Sequence, residues 1–125
     1  MMLHLDLHDP RPMYEQVIDQ IETLVARGVL PADSKLPSVR QMAIELSLNP
    51  NTVQKAYSEL LSRGVIYSVR GKGNYISGDR IKIQEKRLHS IRRMILELIR
   101  QAKEMGATTE QCNELLRSCM EVKQR

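Results

Sequence analysis

Between Lys55 and Lys72 four cations, Lys55, Arg63, Arg70 and Lys72, face a single acid, Glu59. Cations at that density suit phosphate oxygens, which a duplex presents at every step along its axis. On a helical wheel Thr52, Lys55 and Ser58 lie opposite Val53, Ala56 and Leu60, so they stay exposed when the apolar residues are buried. By itself that is an ordinary solvated helix face. Beside a tight turn and a basic tip it offers hydrogen-bonding groups to a DNA groove.

Other constellations lead nowhere catalytic. Gly71-Lys72-Gly73 lacks the G-x-x-x-x-G-K-S/T spacing of a nucleotide cradle, and no helix follows it. The same glycines suit a hairpin tip, where positive φ and a missing Cβ let backbone approach backbone closely. His4 and His8 would point the same way from an extended arm, but a metal needs more ligands than two and none are near, so no metal is expected. Cys112 and Cys119 lie two helical turns apart, too far to bond in place, and are expected to act as small apolar residues in a helix interface, with a thiol switch as the alternative. No Ser/His/Asp or Cys/His set and no paired carboxylates emerge, so neither an enzyme nor a cofactor is expected.

The elements that must hold these groups are marked by caps and periodicity. After a proline-marked arm to Pro12, Tyr14, Val17, Ile18, Ile21, Leu24 and Val25 trace the stripe of an amphipathic helix that Gly28 ends. A connector with prolines at 31 and 37 forbids continuation. Ser38 with Gln41 opens a second helix burying Val39, Met42, Ala43 and Leu46. Asn49 as cap and Pro50 as first residue open a third, to about Arg63, burying Val53, Ala56, Tyr57, Leu60 and Leu61. Two strand-like runs around Arg70-Gly71-Lys72-Gly73 complete a winged helix-turn-helix.

Beyond Asp79, Ile81, Gln84, Leu88, Ile91, Ile95, Leu98, Ala102 and Met105 recur at spacings of three and four, a seam longer than one helix needs for itself. Gly106 stops that helix and Thr108 with Gln111 opens another, lined by Cys112, Leu115, Leu116, Cys119 and Met120. The expected fold is mainly α with a small β-hairpin: a winged helix-turn-helix over residues 1–78, then a helical-hairpin dimerisation region over 79–125. Leu88, Ile91, Ile95, Leu98 and Leu115 are the expected dimer contacts. Lys82, Lys86, Arg87, Arg92 and Arg93 make the first half of the long helix basic, read as a solvated flank with Glu85 and Glu97 as partial partners.

Composition narrows the partner. Of 125 residues 42% are hydrophobic, and the net charge is +4. Residues 1–78 hold eight basic and eight acidic residues, and 79–125 hold eleven and seven, so the DNA-binding unit is neutral and must work through polarity of its faces. With no Phe, no Trp and four Tyr, a base-stacking platform for single strands is excluded. No run approaches the ~18 apolar residues of a membrane span. Met1-Met2-Leu3-His4-Leu5-Asp6 lacks a signal peptide's basic and apolar regions, so a cytoplasmic protein is expected.

The segments P-M-Y-E-Q-V-I-D-Q-I, G-V-L-P-A-D-S-K-L-P-S-V-R-Q-M-A, L-N-P-N-T-V-Q-K-A-Y-S-E-L and R-G-V-I-Y-S-V-R-G-K-G-N-Y-I, in that order, resemble the GntR family of bacterial transcription regulators over residues 12–76. The short two-helix tail is similar to that of the YtrA-type subfamily. The resemblance implies a homodimeric operator-binding regulator, often a repressor of a transporter operon. It places DNA contacts on Arg40, on Asn49, Asn51, Thr52, Gln54 and Lys55, and on Arg70, Gly71 and Lys72. Two departures stand out. Many relatives carry arginines in the recognition helix where this chain has Pro50 and Gln54, which shifts expected readout from guanine toward adenine through Gln54 or Asn51. The family's connector glycine is replaced around Ala32-Asp33, read as loop variation.

The resulting expectation is a regulator of a near-palindromic double-stranded operator. A small-molecule effector would have to bind between subunits, since a two-helix tail leaves little room for a pocket. The alternative is a helical adaptor that uses the winged unit as scaffold; the cations Arg40, Lys55, Arg70 and Lys72 speak against it.

Overall fold

The computed structural model describes residues 3–122; the first two residues of the arm and the last three of the tail lie outside the described residues. The elements are α1 (Met13–Ala26), α2 (Val39–Leu46), α3 (Pro50–Ser62), β1 (Ile66–Val69), β2 (Gly73–Ile76), α4 (Arg80–Glu104) and α5 (Thr109–Met120). Their contacts fall into two units, Met1–Glu85 and Lys86–Arg125.

In the first unit the helix starts follow the capping chemistry. The Ser38 hydroxyl accepts from the Gln41 N–H at 3.1 Å while the Gln41 carbonyl accepts from the Ser38 N–H at 3.0 Å, a reciprocal box. Asn49 Oδ1 accepts from the Asn51 N–H at 2.8 Å, and Pro50 occupies the first helical position, where it has no N–H to lose. Ser47 takes the left-handed conformation that separates α2 from α3 in so few residues.

The core forms where α1 lies on α3. Val17, Ile18, Ile21 and Val25 meet Val53, Ala56, Tyr57 and Leu60, with Met42, Leu36, Ile66 and Ile76 closing the sides. Each large aliphatic side chain fully withdrawn there contributes about 1.5–3 kcal/mol. One sequence expectation shifts. Leu61 is 36% exposed, because Leu60 takes the core position and the next residue turns about 100° away. Ile83, a residue outside the seam, also joins this core, while Ile81 is exposed as the other seam residues are.

β1 and β2 pair antiparallel, Ile66 opposite Ile76 and Tyr67 opposite Tyr75. The connector before α2 supplies a further edge: Leu36 N–H donates to Asn74 O, Ile76 N–H to Ser34 O and Asp33 N–H to Ile76 O, all at 2.8–2.9 Å. β2 is therefore bonded on both sides. At the tip, the Lys72 N–H closes a turn onto Val69 O at 2.9 Å, with Gly71 at φ +77.

In the second unit, Thr108 and Gln111 form the expected reciprocal box at the start of α5. Cys112 is buried there and Cys119 exposed, so only the first behaves as an interface residue within one subunit.

Candidate nucleic-acid interface

Arg40 is exposed at the second position of α2, and its guanidinium has no ion pair among the described residues. On α3, Asn49, Asn51, Gln54, Lys55 and Ser58 are exposed and Thr52 is half-buried beside the buried Val53. Gln54 Nε2 donates to Ser58 Oγ at 3.2 Å, one turn on. The polar ridge predicted from the helical wheel is thus present.

Two of the cations in the basic stretch have uses inside the molecule. Lys55 Nζ lies 3.9 Å from the centre of the Tyr14 ring on α1, a cation–π contact that fixes where its ammonium sits. Arg63 bonds Glu59 at 2.9 Å and the buried Glu22 at 3.2 Å. Burial alone would lower the Arg63 pKa, but the bonds to Glu59 and Glu22 outweigh it and raise it. Arg63 therefore staples α3 to α1 and does not add to the face offered to phosphate.

Arg70 and Lys72 are exposed at the wing tip beside Gly71, without ion pairs among the described residues. Lys35 joins them, a residue the sequence reading missed. Because the connector bridges to β2 opposite Tyr75, the Lys35 side chain crosses the wing, where its Cε would stand 3.1 Å from a Cβ at Gly73. The signal available in the sequence was only the alternation of Ser34, Lys35 and Leu36 between prolines.

The connector also ties wing to recognition helix. Tyr57, buried in α3, donates its hydroxyl to Pro37 O at 2.8 Å, and burial, with the Glu45 charge second, pushes its pKa well above the ordinary range. Asp33 sits at φ +65 and accepts from the Tyr67 hydroxyl at 2.7 Å. Tyr67 in turn stacks on Tyr75 at 5.7 Å between ring centres. Asp33 thus occupies a left-handed turn position that aspartate tolerates, further secured by a hydrogen bond.

On the acidic side, Arg11 bonds Asp9 at 2.9 Å and also Asp19; its side-chain bond first, and its backbone N–H second, hold the Asp9 carboxyl below its usual range. Acids of the arm and first helix are thus partly neutralised locally.

The expected dimer residues lie in the second unit. Leu88, Ile95, Leu98 and Leu115 are each more than 40% exposed, and Ile91 is half-buried. Cys112 is the one buried apolar side chain among the described residues of this unit, so two helices leave most of their apolar stripe uncovered.

A family model described as bacterial regulatory proteins, gntR family, matches residues 13–76. The HTH-type transcriptional repressor YtrA of Bacillus subtilis (strain 168) is 37% identical over 117 residues, 93% of this chain and 90% of that one. A crystal structure of a transcriptional regulator from Oenococcus oeni aligns with a TM-score of 0.75 at 32% identity, covering 93% of this chain and 97% of that chain. The DNA-binding domain of AraR, crystallised in complex with operator ORE1, aligns with a TM-score of 0.52 at 27% identity over 62% of this chain and 94% of that one.

Proposed function

Because the chain belongs to the gntR family of bacterial regulatory proteins, and is a DNA-binding transcriptional regulator and not an enzyme, we propose that it is a cytoplasmic homodimeric repressor of an operon. The observation that carries the reading is the exposed polar ridge of α3, capped by Asn49 and flanked on the same winged unit by unpaired Arg40, Arg70 and Lys72. In this reading α3 enters a major groove, where Asn51 and Gln54 match the donor–acceptor pair of adenine. Arg70, Gly71 and Lys72 meet the backbone or minor groove, and Arg40 and Lys55 meet phosphates. The uncovered stripe of Leu88, Ile91, Ile95, Leu98 and Leu115 joins two subunits. Two-fold symmetry then calls for a near-palindrome with half-sites roughly 34–36 Å apart. Resemblance to a protein named as a repressor supports the sign of regulation.

Selection from a pool of random duplexes tests the reading. A near-palindromic sequence should emerge and shift in a gel at concentrations that leave random DNA unshifted. Equal binding of selected and unselected DNA would overturn the claim of specific recognition.

A further inference from the structure

Residues 86–93, at the start of the second unit, contain Lys86, Arg87, Arg92 and Arg93 and no acid. Lys86, Arg92 and Arg93 are exposed and have no ion pair among the described residues. Four arginines elsewhere are matched to acids: Arg11 to Asp9, Arg63 to Glu22 and Glu59, Arg100 to Glu97 and Glu104, Arg117 to Glu114. Arg100, on the later turns of the same helix, is thus held by two acids, and Lys86, Arg92 and Arg93 are not.

The distribution has a cost. The first unit balances ten cations with ten acids, while the second carries nine against five, so the chain's whole surplus of +4 sits outside the winged fold. Lys82 and Lys86 are like charges four residues apart on one helix, an arrangement that weakens it. Dimerisation gains nothing from this surplus, which an apolar seam does not need and which repels its own copy. A helix that keeps unpaired cations against its own stability fits a site for an outside anion.

We propose that Lys86, Arg92 and Arg93 form a second duplex contact, bound to DNA phosphates without regard to base sequence and separate from the winged unit. Lys86 and Arg93, seven residues apart with His89 between them, share one face of α4, and their spacing of about 10 Å is within the reach of neighbouring phosphates. DNA is the favoured polyanion because the winged unit of the same chain brings it close, making any further contact effectively intramolecular. The proposal rests on the DNA-binding reading above.

The test uses the full chain and the triple variant Lys86→Gln/Arg92→Gln/Arg93→Gln on a 40-bp duplex carrying the selected operator and on a 40-bp random duplex, across a salt series. Three lost phosphate contacts should flatten the slope of log affinity against log salt by about 2.7 per subunit on both duplexes. The preference for operator over random DNA should stay unchanged. Lys103→Gln, an exposed cation further along α4, should leave the slope as it was. An unchanged slope in the triple variant, or an equal flattening by Lys103→Gln, overturns the proposal. A slope flattened by Lys72→Ala but not by the triple variant leaves the winged interface standing and removes this contact alone. Absence of duplex binding by the unaltered chain would instead remove the DNA-binding reading itself. Sedimentation and helix content of each variant, matched to the parent, keep assembly and folding out of the comparison; should the triple variant misfold, the three single variants are read, each expected to lower the slope by about 0.9.

Discussion

Lys55 holds its ammonium against the Tyr14 ring, so the residue serves stability before it meets any DNA. Replacing Lys55 with Ala should lower unfolding free energy by about 0.5–1 kcal/mol, and Tyr14→Leu combined with it should cost less than the two separately. Denaturant titration of the four proteins in that cycle measures the coupling. Tyr57 makes the sharper residue-scale case. Removing its hydroxyl with Tyr57→Phe leaves Pro37 O without its partner and should cost about 0.5–1.5 kcal/mol. Its pKa is raised in the folded state, so the folded chain keeps the proton longer than the unfolded chain, which releases it near the ordinary 10.0. The stability it contributes is complete below that pH and is lost as pH climbs past it. Tyr57→Phe should therefore be less stable than the parent at pH 8 and lose less stability between pH 9.5 and 11. At the interface, Thr52→Ala with Gln54→Ala should narrow the gap between operator and random DNA by about tenfold or more. Lys72→Ala should weaken both alike. Competition gel shifts separate the two; a Lys72→Ala variant that altered sequence preference alone would reverse this division of roles.

The elements divide by how local their causes are. Ser38 with Gln41, Asn49 with Pro50, and Thr108 with Gln111 state three helix starts within four residues each, and all were legible in the sequence. The hairpin was equally legible, from β-formers on either side of a glycine-rich tip. Contacts that bridge distant segments left no such mark. Nothing near Arg63 announces Glu22, 41 residues earlier, and nothing in the connector announces that it will bond to β2. Ile83 was missed for the same reason: its burial comes from packing of the first turns of α4 on the winged core, which no local pattern states. The exposed face of Thr52, Lys55 and Ser58 followed from the helical wheel and the remaining candidate contacts from the family resemblance, whereas Lys35 depends on a sheet edge that only folding creates. That edge is open to test at Asp33. Asp33→Ala keeps the unfavourable left-handed backbone and loses the bond to Tyr67, and should lower stability by about 1 kcal/mol or more. Asp33→Gly should be milder, since glycine accepts that backbone freely. Thermal unfolding of both variants gives the order.

At the scale of the whole molecule, a winged unit with a sealed core is joined to a helical pair with one buried apolar side chain among its described residues. In the homodimer proposed above, a second copy covers the apolar stripe of that pair. Ile95→Glu with Leu98→Glu should halve the mass in sedimentation at micromolar concentration while leaving the winged unit folded. Operator affinity should fall by about 10²–10⁴, the gain that two linked half-sites provide over one. A variant that stays dimeric would move the interface elsewhere on the chain. One further property follows from where the aromatic rings lie. The sequence has no tryptophan, and its four tyrosines, Tyr14, Tyr57, Tyr67 and Tyr75, all belong to the first unit. Ultraviolet emission from the unlabelled protein thus reports on the winged unit alone, and the helical pair is dark. With Tyr67 and Tyr75 stacked behind the wing tip, docking on DNA is open to observation through native fluorescence. A tryptophan placed in α5 would then light up subunit association at a separate wavelength.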